Sequence, residues 1–261
     1  MRAPIRVPRL AVAILCVLAA ACSSPAAQRR TDAAQEPDVN VAPTPIDGTY
    51  AAGEYILRLE GGRWSMNFPA RDGLFRVSED ELILSNEEGC PGQGTYAWTL
   101  ENDELVLNKV EELCALRDVR FPSMQKWFVV KTLDEQLGSG DKLMLADGQH
   151  VANYLGEEDV TGRSEVTLKV STTSRKGLVF SPTVLIGSPG QSITLTIQNP
   201  DGKGTENSQH NFNIDELGIS QLEVPYGDAQ TVSVEFPTSG GLRFYCAYHA
   251  RFGQQGELLV A

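Results

Sequence analysis

The chain has 261 residues, 41% of them hydrophobic, and a formal net charge of −12. That length suits about two domains, and the apolar content is enough for packed cores. The acidic balance argues against a partner held through a phosphate backbone, and fits a soluble protein or one that meets a basic partner.

The first 21 residues stand apart. Arg2, Arg6 and Arg9 form a basic start, residues 11–21 carry only Cys16 among apolar and small side chains, and Cys22 follows at once. A basic n-region, a short apolar h-region and small residues before a cut read as a secretory signal, too short to span a bilayer comfortably. Leu18-Ala19-Ala20-Ala21-Cys22 resembles the lipobox of bacterial lipoproteins, with Ala19 where that motif usually has leucine. The resemblance implies that Cys22 is lipidated and becomes the mature N-terminus, on the outer face of a membrane in the periplasm or at the cell surface. Loss of the three leader arginines takes the net charge from −12 to −15. Residues 22–45, rich in Ala, Pro, Gln, Asp and Thr without apolar periodicity, read as a flexible tether.

From residue 46 to 133 the pattern has period two. Tyr55, Leu57 and Leu59 alternate with polar neighbours, as do Trp64, Met66 and Phe68, then Leu82 and Leu84, then Tyr96, Trp98 and Leu100, then Leu105 and Leu107. Gly61-Gly62, Asp72-Gly73, Ser85-Asn86 and Asn102-Asp103 punctuate them. Short strands joined by tight turns predict an antiparallel meander or barrel. Gly48-Thr49-Tyr50 opening the first strand, with Arg117 near the end, is similar to the lipocalin-like barrels, which carry tryptophan where Tyr50 stands. The resemblance implies a small barrel in which the arginine packs over that aromatic. Such barrels can hold a small apolar ligand, but inward aromatics such as Trp64 and Trp98 can equally fill the interior.

Residues 134–163, rich in Gly, Asp and Glu, read as a linker with one further strand near 142–145. His150, alone among Gly, Asp, Gln and Asn, reads as a surface residue. Alternation returns over residues 164–261: Val166, Leu168 and Val170; Ile193, Leu195 and Ile197; His210, Phe212 and Ile214; Val232, Val234 and Phe236; Leu242, Phe244 and Cys246; Leu258 and Val260. Many short strands without a helical period predict a Greek-key β-sandwich, so the chain is expected to be all-β.

The five cysteines partition by position. Cys16 leaves with the signal and Cys22 takes the lipid. Cys90 and Cys114 can pair in an oxidising compartment. Cys246 is left over, and an odd cysteine in an exported protein needs a reason, for which a metal serves. Residues two apart on a strand share a face, so His210 and Cys246 point with their apolar neighbours toward one dry interior. His249, three residues past Cys246, can be turned back to the same point by a loop. One thiolate with two imidazoles and a weak axial fourth ligand is a blue-copper set, whereas zinc prefers four good tetrahedral ligands.

Gln209-His210-Asn211-Phe212 and Phe244-Tyr245-Cys246-Ala247-Tyr248-His249, followed by Gly253-Gln254-Gln255-Gly256, resemble a single-domain cupredoxin. The resemblance implies one copper held by His210, Cys246 and His249. It implies that Asn211 ties the two ligand segments together, and that His249 is the electron port beside Ala250 and Phe252. Many members place methionine where this sequence has Gln254; others use an axial glutamine, which keeps copper binding and alters the potential. Three functions remain open: one-electron transfer with an unidentified redox partner, copper storage or delivery, and a ligand-binding barrel with the sandwich as scaffold. A multicopper enzyme needs many more histidines than the three in this chain, and no Ser-His-Asp set or phosphate loop is evident, so no catalysis is expected.

Overall fold

The computed structural model describes residues 42–138, 140–172, 177–205 and 207–260. The predicted leader, Cys22 and nearly all of the tether lie outside them. Among the described residues no helix is long and apolar enough to cross a membrane.

The first half forms β1 (Gly48–Ala52), β2 (Tyr55–Glu60), β3 (Arg63–Asn67), β4 (Ala70–Ser78), β5 (Glu81–Ser85), β6 (Gly94–Glu101) and β7 (Glu104–Glu112). A short helix, α1 (Ala115–Arg120), and β8 (Gln125–Lys131) follow. These eight strands pair in sequence order, and β8 returns to β1, closing an antiparallel barrel. Two hairpins owe their tightness to paired left-handed residues: Gly61-Gly62 between β2 and β3, and Asn102-Asp103 between β6 and β7. Positive φ at both central positions matches the turn to the twist of its strands.

Side chains fill the barrel. Trp64, Phe75, Tyr96, Phe121 and Trp127 are buried, and the Phe121 ring lies 5.8 Å from each of Trp64, Tyr96 and Trp127. Arg117 on α1 is also fully buried: its Nε donates to Glu112 at 2.6 Å, and the Tyr96 hydroxyl donates to the same carboxylate at 2.7 Å. Beside it, Arg120 pairs with Glu87. Buried charges survive only when paired in this way. Cys90 and Cys114 form a disulfide over 24 residues, next to this cluster. In the chain-entropy account, closing such a loop stabilises the fold by about 3–4 kcal/mol.

The stretch read as a linker contains three short strands: β9 (Lys142–Met144), β10 (Val151–Asn153) and β11 (Glu157–Asp159). β9 runs parallel to β8 and antiparallel to β10, while β11 joins the next sheet. The strand expected near 142–145 is β9; β10 and β11 went unread, because each is only three residues long and gives no period to read.

The second half forms β12 (Glu165–Ser171), β13 (Val179–Ser181), β14 (Val184–Gly187), β15 (Ser192–Gln198), β16 (His210–Ile214), β17 (Ile219–Val224), β18 (Ala229–Glu235), β19 (Gly240–Tyr245) and β20 (Gln255–Val260). They make two sheets, in the orders β11-β14-β20-β19-β16-β17 and β13-β12-β15-β18. The predicted alternation supplies the core between them. Phe180, Phe212 and Phe244 pack at its centre, with ring centroids 5.1–6.1 Å apart. β16 departs from simple alternation, since all five of its residues are buried. On its second face Asn213 accepts from the Gln221 N–H at 2.7 Å and donates to the Tyr245 carbonyl at 3.1 Å.

Candidate metal centre

The site forms where β16 begins and β19 ends. The two strands are neighbours, with Asn213 opposite Tyr245, so His210 at the start of one stands near Cys246 just past the other. After Cys246 the chain makes a compact turn. The N–H groups of His249 and Ala250 both donate to the Cys246 carbonyl, at 3.0 and 2.8 Å, and the Cys246 N–H donates to the Gln254 carbonyl at 3.1 Å. This turn brings His249 and Gln254 back over the cysteine.

The turn is braced by the segment read as linker. The Asn153 N–H donates to the Gly253 carbonyl at 2.9 Å, and Asn153 Nδ2 donates to the carbonyls of Leu178 and Phe252 at 2.7 and 2.9 Å. Gln255 Nε2 donates to the Val151 carbonyl at 2.7 Å. Gly253 sits at φ +92°, and a Cβ there would stand 2.6 Å from Asn153 Oδ1. Only glycine meets both conditions.

His210, Cys246 and His249 present ligand atoms within 4.8 Å of one another. Cys246 Sγ lies 4.0 Å from His210 Nδ1 and 3.5 Å from His249 Nδ1. Imidazole nitrogen and thiolate sulfur stand about 2.0–2.3 Å from a small divalent ion such as zinc. Three of them in a plane around one ion are then about 3.5–4 Å apart, so the trio fits a single metal. Cys246 and Gln254 are wholly buried and His210 is 1% exposed, whereas His249, at 7%, is the most exposed of the four.

The surroundings fix each ligand's orientation. Asn211, the residue after the first histidine, donates its N–H to Cys246 Sγ at 3.5 Å. Its side-chain oxygen accepts from the Ala247 N–H at 2.7 Å, joining β16 to the ligand turn. Gln254 Nε2 donates to the carbonyls of Ser171 and Val179 at 3.2 and 3.5 Å, and its Oε1 lies 3.1 Å from His249 Nδ1. Carbonyls only accept, so the NH2 end must face them and the amide oxygen is left toward the site.

Asp201 went unnoticed in the sequence. It is buried, and its Oδ2 lies 3.2 Å from His210 Nε2. A carboxylate accepts, so Nε2 carries the proton and Nδ1 keeps its lone pair for the metal. Burial pushes Asp201 toward a higher pKa, but hydrogen bonds from the Thr172 N–H, the Ser171 and Thr172 hydroxyls and His210 prevail and hold it down at about 2. Asn199 closes the loop that carries Asp201, its Nδ2 donating to the carbonyls of Ser208 and Val224 at 2.9 Å. In the sequence, Asn199-Pro200-Asp201-Gly202 reads only as a turn; nothing local links it to a histidine nine residues on. Replacing Asp201 with asparagine is expected to weaken Cu(II) binding by about 10–100-fold, the usual effect of losing a metal ligand's orienting partner. Competition with a chelator of known affinity measures this, and unchanged affinity would make the carboxylate irrelevant to the ligand.

Burial raises the Cys246 thiol pKa, against N–H groups of Asn211, Tyr248 and His249 that lower it, and burial lowers both imidazoles. At neutral pH the metal-free site therefore holds one thiol proton and two neutral rings. Copper uptake at pH 7 is expected to release about one proton. Calorimetry in two buffers of different ionisation enthalpy counts it; release of none or of two would contradict these protonation states.

His150, read as a surface residue, lies apart from this centre. It is half-buried, with Nδ1 2.6 Å from Asp147 and Nε2 2.8 Å from Arg243.

A Greek-key sandwich that brings one thiolate and two imidazoles together in its dry interior, with an amide oxygen beside them, is a cupredoxin. No protein-family profile matches the chain. A 93-residue stretch is 34% identical to plastocyanin A/B of Petroselinum crispum, covering 32% of this chain and 89% of that protein. The chain belongs to the plastocyanin family, and its cofactor is copper. Similar solved structures include auracyanin A, a "blue" copper protein of Chloroflexus aurantiacus, 18% identical with a TM-score of 0.28, over 38% of this chain and all of that one. A chain of a heme-copper terminal oxidase dimer is 14% identical with a TM-score of 0.30; the match covers 38% of this chain and 66% of that one.

Proposed function

We propose that this protein is an exported one-electron carrier with a type 1 copper site, held to the outer face of a bacterial membrane by a lipid on Cys22. His210, Cys246 and His249 are its equatorial ligands and Gln254 its weak axial ligand. Copper supplies the redox change, between Cu(I) and Cu(II). The protein's part is to hold one ligand geometry for both states and to keep water out.

The observation that carries this reading is the convergence of three buried ligand atoms within 4.8 Å, with His249 the most exposed of the ligand residues. Electrons then enter and leave through the His249 edge. Tyr248 and Phe252, each 46% exposed, flank that edge in sequence and offer an apolar rim to a transient redox partner. The chain's three histidines favour a carrier over a multicopper enzyme: two are ligands, and the third, His150, is engaged by Asp147 and Arg243.

The test is voltammetry with optical and electron-spin-resonance spectra of the copper-loaded chain beginning after Cys22. A carrier gives an intense visible band that bleaches on mild reduction, a reversible one-electron wave, and copper retained in both states. Rapid loss of Cu(I) to a chelator on reduction would replace electron transfer with copper delivery.

A further inference from the structure

A cleft of about 600 Å³ lies between the barrel and the sandwich, next to the ligand turn. Arg58 of β2, Arg243 of β19 and Arg251 of the ligand turn all line it. The sequence is strongly acidic, yet among the described residues none of these three guanidinium groups has a carboxylate within 4.0 Å. Glu54 also lines the cleft without pairing with them.

Two of the cations are held in place by hydrogen bonds to groups other than carboxylates. Arg243 donates from Nε to Gln255 Oε1 and from Nη1 to His150 Nε2, both at 2.8 Å, and lies 4.2 Å over the Tyr245 ring. Arg58 Nη2 donates to the Gly148 carbonyl at 2.8 Å. Each keeps further N–H donors, since a guanidinium has five. Arg251 stacks 4.6 Å over Phe252. Burial makes the Arg243 charge less favourable, and Tyr245, then Asp147, Asp215 and Glu216, offset this through space. Three cations brought to one concavity, two of them oriented and none neutralised by contact, make a preformed anion site.

The walls define the rest of the ligand. Phe68, 60% exposed on the barrel side, and Tyr248, 46% exposed on the sandwich side, face onto the same cleft. A volume of this size suits a small organic molecule, with apolar walls for its body and a few fixed polar groups for its orientation.

We propose that the seam between barrel and sandwich binds a small organic acid, with one or two carboxylates on Arg58, Arg243 and Arg251 and a flat apolar body between Phe68 and Tyr248. The site is separate from the copper ligands and does not depend on the redox reading.

The probe is benzene-1,2-dicarboxylate, titrated calorimetrically into the copper-loaded chain at fixed ionic strength, with its neutral diamide and inorganic sulfate as comparisons. We expect saturable one-to-one binding of the dicarboxylate, weaker binding of sulfate and none of the diamide. Arg58→Gln and Arg251→Gln are each expected to weaken binding about tenfold, the loss of one charge-assisted hydrogen bond. Both residues lie outside the Arg243 network at the seam, so these variants are expected to fold. An unchanged visible copper band in each variant, as a check that the adjoining ligand turn is intact, makes a loss of binding specific to the cleft. Absence of saturable binding, or binding indifferent to both substitutions, would overturn the site. Sulfate binding as tightly as the dicarboxylate would overturn the organic-acid assignment.

Discussion

Replacing Cys246 with serine is expected to abolish the intense visible band of the copper-loaded protein while leaving the sandwich folded. The band requires a thiolate bonded to Cu(II), and serine offers only a hydroxyl that stays protonated at neutral pH. Cys246 is the one thiolate available, because among the described residues it is the only free cysteine. Copper affinity should fall with the band, since the two imidazoles alone lack the soft donor that favours Cu(I). Folding should survive, because sulfur and oxygen are close in size and the site's framework lies elsewhere, in the Asn211 bond to the Ala247 N–H and the turn bonds onto the Cys246 carbonyl. The buried hydroxyl loses some apolar contact and costs about 1–3 kcal/mol. Optical spectra and circular dichroism of the variant decide the matter. A wild-type band in Cys246→Ser would overturn the ligand assignment.

Gln254→Met is expected to raise the reduction potential. The glutamine offers a hard carbonyl oxygen, and the two carbonyls on its NH2 end leave that oxygen facing the ligands. Oxygen favours Cu(II) over Cu(I), and thioether sulfur reverses the preference. A tenfold change in the ratio of the two affinities corresponds to about 59 mV for one electron, and the rise should be at least that large. Methionine also gives up both hydrogen bonds to the Ser171 and Val179 carbonyls, so some stability is lost with it, on the order of 1–3 kcal/mol. Voltammetry separates the two effects, because loss of stability alone does not move a potential in a set direction. An unchanged or lowered potential would mean that Gln254 does not act on the metal.

Much of this was determined by the sequence. The period-two apolar runs fix which face of each strand is buried, because a one-residue slip would turn every side chain over. That rule alone sends His210 inward with Phe212, and Cys246 inward with Phe244. The expected export, together with cysteine parity, leaves Cys90 and Cys114 to each other, and the disulfide is found. The three-residue step from Cys246 to His249 makes a tight turn the natural way to bring both to one ion. These are local or periodic signals, and one chain carries them without help.

Only the tertiary structure decided the rest, because it depends on contacts between distant segments. Asp201 reaches His210 through a loop that Asn199 closes, and no pattern in the intervening residues marks it. The direction of the Gln254 amide is set by carbonyls 75 and 83 residues away, so its identity was legible and its orientation was not. The stretch read as a linker also forms β10, whose Asn153 side chain and Val151 carbonyl brace the copper turn from about 100 residues' distance. Three-residue strands have too few positions to show a period, and they are held by pairing rather than by their own pattern. The seam cleft has the same origin: Arg58, Arg243 and Arg251 are unremarkable surface cations in sequence, and become a charged pocket only when the barrel and the sandwich meet.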